Sequence, residues 1–547
     1  MEMKIFSDAK GRKRPDRASR EDRAEESGKR RRGKRDASYA RGFGAVLSFA
    51  LARQAPVLWT ALGAALVFYG CPSRLRVVLL LALAAAGVSL TLRQSGPSRS
   101  RGVAVIGIAF SLGLAWGAAA ALAETARAQP GELSRFPIGG FSGTVAADGR
   151  RTSKGNSIMT IELREITLTS PGWRARIAWP RGRPLCLLVT DSTGEFPAGR
   201  KIRVDRPSVI DAGQALYYAS AKDIVLGAFV SKIAGFRSEA RSALSARIAA
   251  VSGAAFPLAR ALLLGIMDDI ENEESRLFRD AGCAHILSLS GQHLSILCSL
   301  MTLLFAKMLK RADIADAASL MFALFFTWLA GAGPSLLRSA LMTLSTLILR
   351  RIDRPQRGIA VLSLVFCLAL GWKSAEARSL SFTLSYAAMI GLTLLSARWE
   401  NLLWRVPGIL AKPLSASFAA LCATAGISLS TFGFFALGGI VASTLSGPVV
   451  LLFMWSLLGG TLVGCFLPFL NTALSRWHEL LHEAILLIMR IGAILPSIRP
   501  EGEVRKLLLS LAIVALSLFV YAYPYGEYAL NRLAGARRPG AFSLGKP

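Results

Sequence analysis

Residues 281–297 read AGCAHILSLSGQHLSIL, and this stretch decides what kind of molecule the chain makes. Its apolar frame is that of a helix entering a membrane, yet His285, Ser288, Ser290, Gly291, Gln292, His293 and Ser295 interrupt it. Imidazole, amide and hydroxyl groups are costly against hydrocarbon, so they must face water or one another. The stretch therefore belongs to a helical membrane assembly with a polar interior. His285 and His293 are eight residues apart, which in an unbroken helix separates them by about 12 Å and about 80° around the axis. In that form they cannot share a metal ion, although a break at Gly291 would bring them closer. With 4 His in the chain and no ligating carboxylate at hand, no metal site is expected. Ser290 and His293 offer a nucleophile and a base, but no orienting acid or oxyanion loop accompanies them, so no catalytic residue is assigned. Polar bonding between packed helices is the plain alternative.

Two later stretches repeat the pattern. In LAGAGPSLLRSALMT (329–343), Gly331, Gly333 and Pro334 start a helix that carries Ser335 and Arg338 near its beginning. Arg338 reads in two ways: as a side chain snorkelling to the interface, or as bidentate donors for an anion at a broken helix start. In ARSLSFTLSYAAM (377–389), Ser381 and Ser385 fall with Arg378, Phe382 and Tyr386 at helical spacing and form a polar stripe.

The rest of the chain agrees with a membrane setting. Of 547 residues 52% are hydrophobic and 18% charged, and the apolar ones sit in long runs that no soluble core absorbs. This excludes a disordered scaffold, a disulfide framework and a coiled coil. The 7 cysteines form no CxxC or Cys/His pattern and read as small hydrophobes. The net charge of +30 needs its distribution examined. Residues 1–43 are a basic, disordered cytoplasmic arm that anchors orientation by the positive-inside rule and does not resemble a cleavable signal. Residues 44–125 hold three crossings: Ala55–Gly70, Arg76–Leu92 and Gly102–Ala123. With the arm inside, an odd number of crossings puts the next segment outside.

Residues 130–230 change character, with short β-favouring runs between Gly, Ser, Asp and Pro turns. Five or so short strands suit a small OB-like barrel. Between Phe136 and Arg206 stand twelve Lys/Arg against six Asp/Glu, together with Phe141, Trp173, Trp179 and Phe196. Arg150, Arg151, Lys154, Arg174, Arg176, Arg200, Lys201 and Arg203 are the candidate phosphate contacts, because cations neutralise a nucleic-acid backbone while rings stack on bases. The alternative is an aromatic core under a solvated charged face. Residues 235–265 read as an amphipathic helix on the membrane surface.

The second membrane block, 266–525, contains nine candidate crossings: 286–305, 317–330, 336–349, 358–370, 380–395, 414–429, 449–470, 482–495 and 507–523. Lys307, Lys310 and Arg311 fall in one loop, and Arg350, Arg351, Arg354 and Arg357 in another; both face the cytoplasm when the block starts outside. The count gives about twelve transmembrane helices and a cytoplasmic basic tail, 526–547, provided Thr431–Ser446 is re-entrant or interfacial. The expected fold class is thus a polytopic α-helical membrane protein with an inserted small β-barrel, OB-like, outside the cytoplasm.

These stretches resemble the ComEC/Rec2 competence family, multi-pass proteins thought to pass DNA across the bacterial cytoplasmic membrane. LLLGIMDDIENEESRLFRDAGCAHILSLSGQHLSIL (262–297) is similar to the family's LLLG and aGltHllaiSGlH run at Gly265, Gly282, His285, Ser290, Gly291 and His293. GAGPSLLRSALM (331–342) resembles G-x-x-P-S-x-x-R-A-x-x-M at Gly331, Pro334, Ser335, Arg338 and Met342, and SLSFTLSYAAMIG (379–391) resembles F-x-L-S-x-x-A. Three ordered matches, within about 235–465, are specific where one alone is weak. The resemblance implies a conduit for single-stranded DNA past His285, Ser290, Gly291, His293, Pro334, Ser335, Arg338, Ser381 and Ser385, with membrane lipid around it. It implies no cofactor and no enzyme activity. It also implies a separate DNA receptor, an ATP-driven motor and a nuclease, and leaves a homo-oligomer open. No GxxxxGK[ST] loop is present, so the motive force comes from elsewhere. Gln292 stands where Leu is usual, and the polar residue expected after Phe432–Gly433 is not evident. The H-x-H-x-D-H ligand run of the metallo-β-lactamase-like domain found in many members is missing, so no nuclease carries over. Two rival readings are a permease for a small anionic solute, built on the broken helix at Pro334, and an intramembrane hydrolase built on Ser290 and His293.

Overall fold

The computed structural model describes residues 57–69 except 59, 100–125 and 138–533, with short breaks at 153–154, 171–172, 180–183, 193, 212–214, 353–357 and 373. The expected arm, the crossing Arg76–Leu92, Lys154 and residues 534–547 lie outside the described residues.

Residues 138–229 fold into one sheet of nine strands among the described residues. The strands are β1 (Ile138–Val145), β2 (Arg150–Arg151), β3 (Ser157–Ser170), β4 (Trp173–Ala178), β5 (Leu185–Thr190), β6 (Arg200–Asp205), β7 (Ser208–Asp211), β8 (Leu216–Ala219) and β9 (Ile224–Phe229). The spatial order is β7-β8-β5-β3-β1-β6-β9, with β2 and β4 both paired to the long β3. One pair, β5 with β8, is parallel. Five strands were expected, and the surplus comes from short strands bordering turns. Inward alternation along β1, β3, β5 and β6 supplies Phe141, Ile161, Leu163, Ile166, Leu188 and Val204 to a core that Tyr217 of β8 and Phe196 of the loop before β6 complete. Phe141 and Phe196, read from sequence as rings for stacking bases, are 2% and 5% exposed and belong to that core. Apolar area there is worth more buried than displayed.

The next stretch departs from expectation. Instead of a helix along the membrane surface, residues 232–264 make a helical hairpin: α3 (Lys232–Ser252), a tight turn at 253–255 and α4 (Phe256–Leu264). A straight run would separate residues 241 and 264 by about 34 Å, yet the Arg241 guanidinium donates to the Leu264 carbonyl at 2.9 Å. The turn rests on a later helix, where the Ala254 N–H donates to Glu479 at 3.0 Å and His478 Nδ1 meets the Val251 carbonyl at 2.8 Å. Ile248, Leu258, Leu262 and Leu264 are fully buried. FPLARALLL is apolar nearly all round, and such a helix belongs in an interior.

Beyond it come α5 (Asn272–Asp280), α6 (Ala284–Leu287), α7 (Gly291–Leu309), α8 (Ala312–Ala330), α9 (Pro334–Arg351), α10 (Gly358–Trp372), α11 (Ser374–Ala377), α12 (Leu380–Leu402), α13 (Gly408–Phe432), α14 (Gly438–Phe466), α15 (Asn471–Ile494) and α16 (Glu503–Leu533). Earlier in the chain lie α1 (Thr60–Tyr69) and α2 (Ser100–Thr125). A long helix stands at each of the nine stretches read as crossings. By length and apolar composition α12, α13, α14 and α16 up to Tyr521 each suffice to cross a bilayer, which makes this a membrane protein. Thr431–Ser446 is not a separate re-entrant element. It comprises the end of α13, a two-residue strand Phe435–Ala436 paired with Ser497–Ile498, and the start of α14. The last helix runs through Leu533, past the expected end at Tyr523.

Two apolar clusters organise the bundle. One joins α3–α8, α14 and α15. The other joins α1 and α2 to α9, α10 and α12, tied by Tyr69 Oη to the Ala377 carbonyl (2.6 Å) and Trp116 Nε1 to the Cys367 carbonyl (3.0 Å).

Candidate functional site

Between those clusters runs a cavity of 1910 Å³. It begins under the sheet, where Asp148, Arg150 and Arg151 line it, and continues to Arg350 at the other end of α9. One face of α9 follows it throughout: Ser335, Arg338, Ser339, Met342, Thr343, Thr346 and Arg350 recur every three to four residues over about 22 Å. Gln292, Ser295, Ser299 and Thr302 of α7 face the same space, as do Ser381 and Ser385 of α12, Ser417 and Thr424 of α13, and Ser443 and Thr444 of α14. Serine and threonine hydroxyls thus stand among Leu336, Leu347, Leu384, Leu421 and Leu451 on the inner side of five helices, polar groups that need water or one another.

The three motif stretches meet at one point on this wall. The Gly291 N–H donates to Ser335 Oγ at 2.9 Å, Ser385 Oγ donates to Ser335 Oγ at 3.2 Å, and Arg338 Nε donates to Ser385 Oγ at 2.8 Å. Gly291 permits the contact, since a Cβ there would meet Ser339 Oγ and lie 2.7 Å from Arg338 Nη2. Pro334 occupies the first turn of α9, where its missing N–H costs nothing. Arg338 is 6% exposed, and its Nη1 also reaches the Met342 sulfur at 3.6 Å.

The two histidines separate in role. His285 is exposed to the cavity, as is Gln292, the departure from the family pattern. His293 is buried at 3%. Its Nδ1 accepts from the Ser290 N–H at 3.2 Å while Ser290 Oγ accepts the His293 N–H, a reciprocal cap on α7. The hydrolase pairing therefore fails: the ring nitrogen nearest Ser290 is taken by backbone, and it does not accept the hydroxyl proton. Among the described residues no group of His, Cys, Asp and Glu is arranged to hold a metal. We expect His293→Ala to lower stability by about 1–2 kcal/mol, the usual worth of a cap, while His285→Ala leaves it within about 0.5 kcal/mol. Thermal unfolding of both variants in detergent checks the contrast.

Among the described basic residues of the sheet, only Arg150 and Arg151 reach the cavity; Arg174, Arg176, Arg200, Lys201 and Arg203 do not line it. Arg176 pairs with Glu165 (3.3 Å), Arg203 with Asp205 (3.3 Å), and Arg200 sits over the Phe229 ring. Sequence reading passed over Asp148, which proves central. The turn between β1 and β2 brings its carboxylate against the bundle, where it accepts from Arg237 Nη1 (3.1 Å) and Nη2 (2.6 Å) and from Arg241. Burial pushes the Asp148 carboxyl up, but the hydrogen bond and charges of Arg237 and Arg241, with the Ala198 N–H, outweigh it and hold it below its ordinary value. With a depressed folded value, the tie is fully present above the usual aspartate range and is lost only as pH falls through the lower one.

Residues 262–525 match a family model described as Competence protein. The chain carries a competence-family domain. Comparison with curated proteins and with solved structures gives no match. The competence domain connects the chain with competence, the uptake of DNA, and it contains the whole of the three-motif meeting point and the cavity wall from α7 to α14.

Proposed function

We propose that this chain is the membrane conduit through which a single strand of DNA passes during competence. The observation that carries the reading is the cavity along which five helices present hydroxyls among apolar side chains, with Arg150 and Arg151 at one end, Arg338 along its wall and Arg350, paired with Asp316, at the other. A passing strand needs cations for its phosphates and polar walls that do not read sequence. At 1910 Å³ the space exceeds the roughly 300–1,000 Å³ of small-molecule sites, which favours a polymer over the small anionic solute of the permease reading. The sheet supports an OB-like assignment: β1 pairs with β3 and β6, β3 with β5, and β5 with β8 in parallel, the order of a five-strand barrel with additions. In this reading the β-domain lies outside the bacterial cytoplasmic membrane, both termini are cytoplasmic, and a separate receptor, motor and nuclease serve the conduit.

Oligothymidylate binding to the full chain in lipid nanodiscs, measured against salt, tests this. Log affinity is expected to fall linearly with log salt, and Arg150→Ala with Arg151→Ala to flatten the slope by about 1.4, two single-strand phosphates. Binding indifferent to salt would overturn it.

A further inference from the structure

The loop that carries Arg150 and Arg151 also carries Asp148, and this carboxylate does more than tie two domains together. Its two partners reach further: Arg237 Nε donates to the Trp328 carbonyl at 2.8 Å, and Arg241 donates to the Leu264 carbonyl. The side chains of Arg237, Arg241 and Asp148 are 9%, 12% and 21% exposed. The Asp148 carboxylate thus spans the β1–β2 turn, the α3–α4 hairpin and the end of α8.

Directly above this cluster the chain is strained. Gly331 has φ +110° and Ala332 has φ +50°, two successive left-handed residues joining α8 to α9. An alanine held in that region persists only because its surroundings fix it. A Cβ on Gly331 would lie 3.0 Å from Arg237 Nη2 and 3.3 Å from Asp148 Oδ2, so the ion cluster is packed against the joint. Ser335 and Arg338 come within the next two turns. Asp148, Arg150 and Arg241 all line the cavity at its sheet end. A carboxylate and a phosphodiester compete for the same guanidinium fork.

Resting on the conduit reading, we propose that Asp148 is an internal anion that a strand phosphate displaces. With the cavity empty it occupies Arg237 and Arg241 and holds the strained joint. A phosphate entering beside Arg150 takes over Arg241, the carboxylate withdraws, and residues 331–335 relax, carrying Ser335 and Arg338 with them. Asp148 is a positioning residue that regulates entry.

Hydrogen exchange on the full chain in nanodiscs, with and without oligothymidylate, tests this. Strand binding is expected to speed exchange across 329–335 about tenfold, the mark of a joint released from a local lock. Asp148→Asn is expected to show that fast exchange without strand and to bind oligothymidylate about three- to tenfold more tightly, because the competing anion is gone. A merely structural Asp148 predicts weaker binding on loss, the opposite sign. Wild-type exchange unmoved by bound strand, or an Asn variant that binds no tighter, would overturn the proposal, the wild-type arm holding even if the variant fails to fold. Inorganic polyphosphate separates the two readings. If it loosens the joint while oligothymidylate does not bind, the latch stands and DNA falls; if oligothymidylate binds and the joint stays fixed, DNA stands and the latch falls.

Discussion

Replacing Arg338 by alanine is expected to stop strand passage while leaving a folded protein in the membrane. Arg338 is buried in the cavity wall, and among the described residues no carboxylate lies within ion-pair distance of it; its partners are a serine hydroxyl and a thioether. Buried arginines are normally paired, because an uncompensated guanidinium pays heavily in lost hydration. A positive charge kept there without a counter-ion is arranged to receive one. Losing one charge-assisted contact to a phosphate costs about 1.5–3 kcal/mol, hence about 10- to 100-fold in passage. Stability is expected to change by no more than about 1–2 kcal/mol, since no partner charge is stranded and Ser385 still bonds Ser335. Arg338→Lys keeps the charge without the fork and recovers only part of the rate. Uptake of labelled strand, normalised to protein in the membrane, is the measurement; an alanine variant passing strand at the wild-type rate removes Arg338 from the path.

Much of this site was legible because membranes penalise polar groups. Any Ser, His or Arg inside an apolar run must have a reason, so His285, Ser290, Ser335, Arg338 and Ser385 declared themselves before their neighbours were known. What could not be read was their division of labour. A capping box is ordinarily recognised by Glu or Gln three residues after the cap, and here His293 fills that place. It therefore looked like chemistry when it was holding a helix start. The hairpin at 232–264 was misread for a related reason. Arg237 and Arg241 have the spacing of a solvated helix face, but their partners are Asp148 and two carbonyls 23 to 93 positions away, in elements that only the fold brings near. Phe141 and Phe196 were ambiguous between core and stacking surface; the inward register of β1 decided the first, and the loop before β6, which folds Phe196 under the sheet, decided the second.

Gly291→Ala is expected to damage passage as severely as loss of Arg338, through packing and not through charge. The added Cβ would meet Ser339 Oγ and would stand 2.7 Å from Arg338 Nη2 and 3.2 Å from the Ser335 carbonyl. A hydroxyl can rotate aside, but a carbonyl moves only if α9 moves, and that opens the bond from the Gly291 N–H to Ser335 Oγ. Overfilling a tight contact costs about 1–3 kcal/mol. For a chain of this size that lowers the melting temperature by only about 1 °C per kcal/mol. The larger consequence is that Arg338 is pushed from its seat on Ser385, so passage falls by about 10- to 100-fold with Arg338 still present. Ser339→Ala in the same background removes the nearest clashing atom, and it should restore part of both melting temperature and passage, a coupling that only touching residues display. If the double variant passes strand no better than Gly291→Ala, the crossing of α7 over α9 is not what seats Arg338, and the wall must owe its alignment to the Ser335–Ser385 contact instead.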